Sequence, residues 1–368
     1  MHRLRFTRDV FGADRQTLAE LLEPAPNCPA RVQFWIDRNV AQGQPQLLAR
    51  IRDFAQQHRD RIVLEPPIQL VDGGEAVKND PSGMMGILKA MHSANLDRQS
   101  YVVTVGGGAV LDALGFAAAI AHRGIRLVRL PSSTMGQGDS GVGVKNGINL
   151  FHKKNWLGVF AVPWAVINDA RLLDSLCDRD FVCGFSEAVK VALLKDARLF
   201  DQLCRDASRV CRREMDIAWP LLRRSAELHL QHITSGGDPF ELSQARPLDF
   251  GHWSAHKLES LSEFRLRHGE AVAIGVAIDT VYSSLVHGLP NREAQRVLTC
   301  LRDLGIPLAD PLLADSEPLF DGLEEFRQHL GGQLTLTMLP AIGKNIDVHQ
   351  IDRRQMQQAI QQVADFAG

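Results

Sequence analysis

The chain's only Gly-Gly-Gly run, Gly106, Gly107 and Gly108, closes the apolar stretch YVVTVGGG (101–108) and opens the small-residue stretch AVLDALGFAAAIAHRG (109–124). An apolar run without polar alternation marks a strand covered on both faces, and a strand turning directly into a helix belongs to a βαβ layer. Neighbouring segments repeat the pattern. After a polar leader, RVQFWID (31–37) reads as a strand and PQLLARIRDFAQQHRD (45–60) as an amphipathic helix. IQLVDGG (68–74) reads as a short strand, PSGMMGILKAMHSAN (81–95) as a helix and IRLVRLPSS (125–133) as the next strand. Such alternation requires right-handed crossovers and a mostly parallel sheet. From about residue 181 the period turns helical, in FVCGFSEAVKVALLKDARLF, AWPLLRRSAELHLQHIT, SAHKLESLSEF and GEAVAIGVAIDTVYSSLVHG. The expected architecture is an α/β domain with a parallel sheet over 1–180 and an all-α domain over 181–368.

A chain of 368 residues has room for two domains with separate cores. The formal net charge of −2 excludes the strongly basic field of a nucleic-acid or membrane-surface partner. The stretch MHRLRFTRDVFGADRQ has no apolar signal core, and no uninterrupted apolar run reaches the roughly 18–20 residues that span a bilayer. A cytoplasmic location is expected. The six cysteines, Cys28, Cys177, Cys183, Cys204, Cys211 and Cys300, form no CxxC pair and read as small buried apolar side chains in a reducing compartment.

Lacking Cβ atoms, the three glycines let backbone approach a pyrophosphate, whose charge a helix N-terminus favours. Alone the signal is weak, because tight turns use the same residues and the GxGxxG fingerprint is absent. Upstream, Glu75 in DGGEAVK offers a carboxylate to a ribose diol, or is a solvated loop acid. The stretch PSSTMGQGDSGVGVKNGINLFHKKN (131–155) reads as a long polar loop between apolar strands. Its Asp139, Lys145, Asn149, Lys154 and Asn155 suit a phosphorylated polyol: lysine as a point charge on phosphate, Asn and Asp on hydroxyls. The plain alternative is a mobile surface loop.

Two stretches, PLDFGHWSAHKLE (247–259) and RLRHGEAVAIG (265–275), carry His252, His256 and His268. His252 and His256 stand one helical turn apart and share a face, with His268 or a distant acid as a third ligand. Three protein ligands plus an open position is the catalytic zinc pattern. Glu187 in GFSEAVK is an acidic candidate, with Lys190 one turn later on the same face. There is no HExxH, so zinc-peptidase chemistry is not supported. A single histidine is more often structural; three in so short a span point to a metal.

Taken in order, these segments resemble the 3-dehydroquinate synthase superfamily, NAD- and zinc-dependent sugar-phosphate cyclases. DGGEAVK is similar to the family's DGExxK, GGGAVLDALGF to GGGVVGDLAGF, and HRGIRLVRLPSST to its RG-to-PTT strand. DSGVGVKNGIN is similar to DSSVGGKTGVN, GFSEAVK to AEVIK, DFGHWSAHKLE to NFGHTxGHAIE, and RHGEAVAIG to LHGEAVAIG. The resemblance implies an N-terminal dinucleotide-binding domain and a C-terminal metal- and substrate-binding domain. It implies a metal (zinc, cobalt or iron) on Glu187, His252 and His268, with His256 beside the substrate instead. NAD would be held by Glu75, Lys78, Gly106, Gly107, Gly108, Asp112, Ser132, Ser133 and Lys154, with Asp139 and Lys145 bridging toward the reacting ring. Asn155, Lys190 and His256 would contact hydroxyls and phosphate of a small sugar phosphate. Arg123 corresponds to an arginine that reaches the neighbouring subunit's phosphate, which implies a homodimer.

The chain departs from the dehydroquinate synthases where they hold the substrate carboxylate. Counting back from Asp238-x-x-Glu241, Gln231 stands at the family's lysine position; Arg246 is shifted by one residue and Asp249 replaces an asparagine. Gln for Lys removes a positive charge and Asp for Asn adds a negative one at that end of the substrate. A buried carboxylate without its cation costs several kcal/mol. The expected substrate is therefore a seven-carbon sugar phosphate with a neutral polyol end, of the sedoheptulose 7-phosphate type. Lys344, in LPAIGK, matches the family's C-terminal lysine and favours 3-dehydroquinate synthase proper, acting on 3-deoxy-arabino-heptulosonate 7-phosphate. The remaining alternatives are a polyol dehydrogenase of the glycerol or iron-alcohol type and a non-catalytic scaffold homologue.

Overall fold

The structure, a computed structural model, describes the chain apart from residues 1, 27, 152, 237–239, 241–245 and 368. Asp238 and Glu241, from which the Gln231 alignment was counted, lie outside the described residues. The chain divides into two compact units, 1–177 and 178–368.

In chain order the first unit contains β1 (Leu4–Thr7), α1 (Arg15–Leu21), β2 (Ala30–Asp37), α2 (Arg38–Gly43), α3 (Leu47–Gln57), β3 (Ile62–Leu64) and β4 (Gln69–Val71). There follow α4 (Ala76–Asn79), α5 (Pro81–Ser93), β5 (Tyr101–Gly106), α6 (Gly108–Ile120), β6 (Arg126–Pro131), β7 (Lys145–Leu150), β8 (Lys153–Phe160) and β9 (Ala165–Asp169). The main sheet runs β1-β9-β6-β5-β2-β3, with β4 also pairing β2, and every pairing in it is parallel. Along β5, Tyr101, Val103 and Val105 enter one core while Val102 enters the other. That division explains the unalternated apolar sequence: each face is roofed by helices, α1 and α3 on one side, α5 and α6 on the other. Each such side chain, fully buried, contributes roughly 1.5–3 kcal/mol.

From β2 the chain first adds β3 and β4 on one side, then crosses to β5 on the other. The order reverses at β2–β5, and ligands of open α/β sheets bind outside the strand carboxyl ends at such a point. The register places Asp37, Gly106 and Pro131 at that edge, with Ile36 opposite Val105 and Gly106 opposite Pro131.

Two local expectations are corrected. The polar leader contains β1, which pairs in parallel with β9 from Leu4↔Val166 to Thr7↔Asp169. The segment 131–155 is not one loop: after a tight helical turn over 136–140 it forms an antiparallel hairpin, Lys145↔Phe160 to Leu150↔Lys153. Ile148 anchors β7 in the core that α6 lines, and this overrides the polarity around it. The cysteine reading also holds only in part, since Cys183 and Cys300 are buried but Cys28 and Cys177 are exposed.

The second unit contains α7 (Asp178–Lys195), α8 (Ala197–Cys211), α9 (Met215–Ser235), α10 (His252–Leu261), α11 (His268–Val286), α12 (Asn291–Asp303), α13 (Glu317–His329), β10 (Leu336–Ala341), β11 (Lys344–Val348) and α14 (Arg353–Ala367). It is helical except for the β10–β11 hairpin, which buries Met338 and Leu339 and packs β10 on α11. Among the described residues α11 alone is long and apolar enough to cross a membrane, and 83% of that stretch is buried in the protein. A helix apolar on every side is one surrounded by its neighbours.

Candidate functional site

Three helices of the second unit build a compact cluster. α7 presents Glu187, fully buried, and α11 begins at His268. Gly269 is what lets them meet, because a Cβ there would stand 2.3 Å from the Cys183 carbonyl oxygen of α7. The start of α11 is held by Glu270, which accepts from Arg267 N at 2.8 Å and receives Arg179 at 2.6 and 2.7 Å. α10 presents His252 immediately after Gly251, whose φ of +78° turns the chain into the helix.

One ligand atom each from Glu187, His252 and His268 lies within 4.8 Å of the other two. His252 Nε2 is 3.6 Å and His268 Nε2 3.9 Å from Glu187 Oε1. Each ring is oriented through its other nitrogen: His252 Nδ1 meets Phe250 O at 3.2 Å, and His268 Nδ1 meets Glu259 Oε2 at 3.1 Å. Such outer partners are what hold metal-ligating imidazoles. Burial, then the charge of Lys190 and the two other imidazoles, holds His252 well below the usual histidine range. It is neutral at neutral pH, the form that ligates. An acid and two imidazoles, with oxygen and borderline nitrogen donors, fit a zinc-like divalent ion.

Lys190 lies beside the cluster, buried, with Nζ 2.5 Å from Glu187 Oε2. His256 shares the α10 face as its spacing requires, with ring centroids 5.4 Å from His252 and 6.2 Å from His268. It is exposed and is not one of the three whose ligand atoms converge. Arg246 and Asp249 are half-buried, Asp249 ending a short turn that packs on α7 and β10. Gln231 is exposed on α9. Lys344 is exposed at the start of β11, where Gly343 N donates to Leu193 O of α7 at 2.7 Å.

In the first unit the glycine turn connects β5 to α6. A Cβ on Gly106 would stand 2.7 Å from Val110 Cγ1, and one on Gly108 2.7 Å from Ser140 Oγ. Gly107, the N-cap residue, differs: its nearest neighbour would be Ser133 Oγ at 3.9 Å, and its φ is −74°. Internal packing therefore excludes a side chain at 106 and crowds one at 108 against the Ser140 hydroxyl, but leaves the face of Gly107 open to an approaching group. Ser132 N donates to Gly106 O at 2.9 Å, and Gly136 N to Ser133 Oγ at 3.0 Å, so both serines border the turn. Asp139 follows within the helical turn.

Lys78, 5% exposed, donates to Asp112 at 3.1 Å and to Asn155 Oδ1 at 2.5 Å. Burial raises the Asp112 carboxyl, and the charge of Lys78 opposes the rise. Asn149 donates to Glu75 Oε1 at 2.7 Å, and its Oδ1 accepts from Asn155 N at 2.8 Å. The structure thus joins Glu75, Lys78, Asp112, Asn149 and Asn155 in one polar network, placing Asn155 with the expected cofactor residues. Lys145, Lys154 and Arg123 are exposed, the first two on the β7–β8 hairpin and Arg123 beyond α6 with φ +61°.

Sequence reasoning passed over three residues here. Asp37 ends β2 at the switch point, where its buried carboxylate accepts from Asn39 N at 2.9 Å and from Gly107 N. Burial pushes its carboxyl up. An acid closing the buried strand RVQFWID was the available signal. Arg129, fully buried, donates to the carbonyls of Ser140, Gly141, Gly143 and Lys145 and to Asn146 Oδ1 at 2.5 Å, so it props the segment carrying Asp139 and Lys145. Gly115 leaves room for the pair, since a Cβ there would stand 1.8 Å from Asn146 Oδ1. Nothing in the spacing announced that contact.

The 3-dehydroquinate synthase N-terminal family matches residues 68–183, and the C-terminal family matches residues 184–321. A 3-dehydroquinate synthase of Rhodopseudomonas palustris is 33% identical over 338 residues, covering 88% of this chain and 84% of the relative. A 2-epi-5-epi-valiolone synthase of Streptomyces glaucescens is 34% identical over 294 residues, 78% and 75% of the two chains. The solved structure of 2-epi-5-epi-valiolone synthase from Streptomyces hygroscopicus, with NAD+ and Zn2+ bound, aligns at TM-score 0.88 and 26% identity over 100% of this chain and 97% of that one.

Proposed function

Because the chain belongs to the 3-dehydroquinate synthase family, we propose that it is an NAD- and divalent-metal-dependent sugar-phosphate cyclase. It converts a seven-carbon sugar phosphate of the sedoheptulose 7-phosphate type to a carbocycle, with elimination of phosphate, as a cytoplasmic homodimer. The observation that carries the reading is the convergence of Glu187, His252 and His268 beside the buried ammonium of Lys190.

When bound, the divalent ion supplies Lewis acidity to a substrate carbinol, and NAD+ takes up and returns a hydride, leaving no net redox change. The protein's residues do the holding. Glu187, His252 and His268 would grip the ion, in a pocket whose burial favours the neutral form of His252. Lys190, buried beside Glu187, would donate to an oxyanion or phosphate in surroundings that exclude water, where such a contact is strongest. His256, exposed beside the cluster, is positioned to bond substrate hydroxyls. In the first unit, the open face of Gly107 at the start of α6 receives a pyrophosphate, and Ser132 and Ser133 border it.

Gln231 and Asp249 support the neutral polyol end, and similarity to 2-epi-5-epi-valiolone synthases agrees with it. Lys344 and the Rhodopseudomonas palustris relative favour the second reading, 3-dehydroquinate synthase proper. Incubation with seven-carbon sugar phosphates, with and without a carboxylate, separates the two. We expect inorganic phosphate and a carbocyclic product from the non-carboxylated sugar, without accumulation of NADH. Lasting NADH would establish a dehydrogenase, and turnover of the carboxylated substrate alone would establish the second reading. Glu187→Ala and His268→Ala should lose bound metal and activity together; normal zinc content in both would overturn the metal assignment.

A further inference from the structure

We propose that Asp279 is the positioning residue of the metal cluster, fixing His252 by accepting hydrogen bonds from the residues on either side of it. The inference rests on the metal-site reading above. Asp279 lies on α11 and is 1% exposed. Its Oδ2 accepts from Gly251 N at 2.9 Å and its Oδ1 from Trp253 Nε1 at 2.8 Å. His252 is the residue between those two donors.

Packing makes this grip consequential. A Cβ on Gly251 would stand 2.5 Å from Val276 N, and one on Gly275 would stand 2.0 Å from Gly251 O. The entry to α10 is thus pressed directly onto α11, and Asp279 lies one turn beyond Gly275 on the same helix face. No cation pairs with Asp279 among the described residues; its partners are two neutral N–H groups. Burying a carboxyl without a cation costs free energy, which the two N–H bonds offset in part. Chemically it is apt for a different reason. Both oxygens of an aspartate carboxyl can accept, so it meets the two N–H groups at once, whereas asparagine would turn an NH2 toward one of them. The carboxylate therefore sets the first turn of α10 from two points, and the direction of His252 Nε2 with it.

The test is titration of Zn2+, by chelator competition, into the full-length wild type and into Asp279→Asn, Asp279→Leu and Trp253→Phe. Visible absorption of the Co2+-loaded proteins and thermal unfolding of the metal-free proteins are measured alongside. We expect zinc affinity to fall about 10–100-fold in both Asp279 variants, the range found for outer-shell changes. The Co2+ spectrum should change with it. Trp253→Phe keeps the Gly251 bond and should lose less, several-fold. Asp279 variants that fold and bind with wild-type affinity and an unaltered Co2+ spectrum would overturn the proposal, whatever their unfolding temperature. Should they fail to fold, wild-type affinity in Trp253→Phe would overturn it instead. A wild type that binds no zinc would remove the metal reading itself, and that outcome is distinct from both.

Discussion

At the scale of single residues, burial decides which acids behave unusually. Asp169 closes β9, is 1% exposed, and accepts from Thr7 Oγ1 at 2.6 Å and Val10 N at 2.7 Å. Desolvation outweighs these bonds and pushes its carboxyl up to about 6 from an ordinary 3.8. The folded state therefore binds this proton more tightly than the unfolded chain does. The contribution to stability is fully present below about pH 4 and is lost as pH rises through about 6, on the order of 3 kcal/mol in all. Asp169→Asn cannot titrate, so urea unfolding of wild type and variant from pH 4 to 7 should show wild type losing stability relative to the variant. A pH-independent difference would refute the shift. The histidines show the limit of spacing as a guide. One helical turn correctly put His252 and His256 on one face, yet the imidazole converging on Glu187 with His252 is His268, from another helix. Only the family resemblance pointed to His268 over His256.

At the scale of elements, βα units were legible because strand and helix periods are properties of neighbouring residues. The β7–β8 hairpin was not, since its strand signal is diluted by glycine, asparagine and lysine and rests on the burial of Ile148 against the α6 layer. The glycine turn yields a sharp prediction. Gly107→Ala meets nothing closer than 3.9 Å, so its stability should stay within about 1 kcal/mol of wild type, the range of an N-cap change. NAD+ affinity, read by calorimetry, should nevertheless fall at least about tenfold, the loss of one charge-assisted contact. Unchanged affinity would place the pyrophosphate elsewhere.

At the scale of the whole molecule, the β7–β8 hairpin exposes four large apolar side chains, Phe151 at 71%, Trp156 at 54%, Phe160 at 44% and Leu157 at 40%, with the Phe151 and Trp156 rings in contact. Exposed apolar groups gathered on one element mark association surfaces, which accords with the homodimer proposed from Arg123. Light scattering at micromolar concentration should give twice the 40.7 kDa chain mass, and Trp156→Glu should lower it. A wild-type mass of 40.7 kDa would refute the dimer. By itself the sequence determined the βα order of the first half, the helical second half, the glycine turn and the ordered segments of the family, because all of these reside in short-range patterns. Tertiary structure alone decided that Glu187, His252 and His268 converge, that Gly251 and Gly275 press α10 onto α11, and that Asp279 and Arg129 hold the segments beside them. Those meetings join residues far apart in the chain, and they are set by close packing and by the need of buried polar atoms for partners, neither of which leaves a periodic trace.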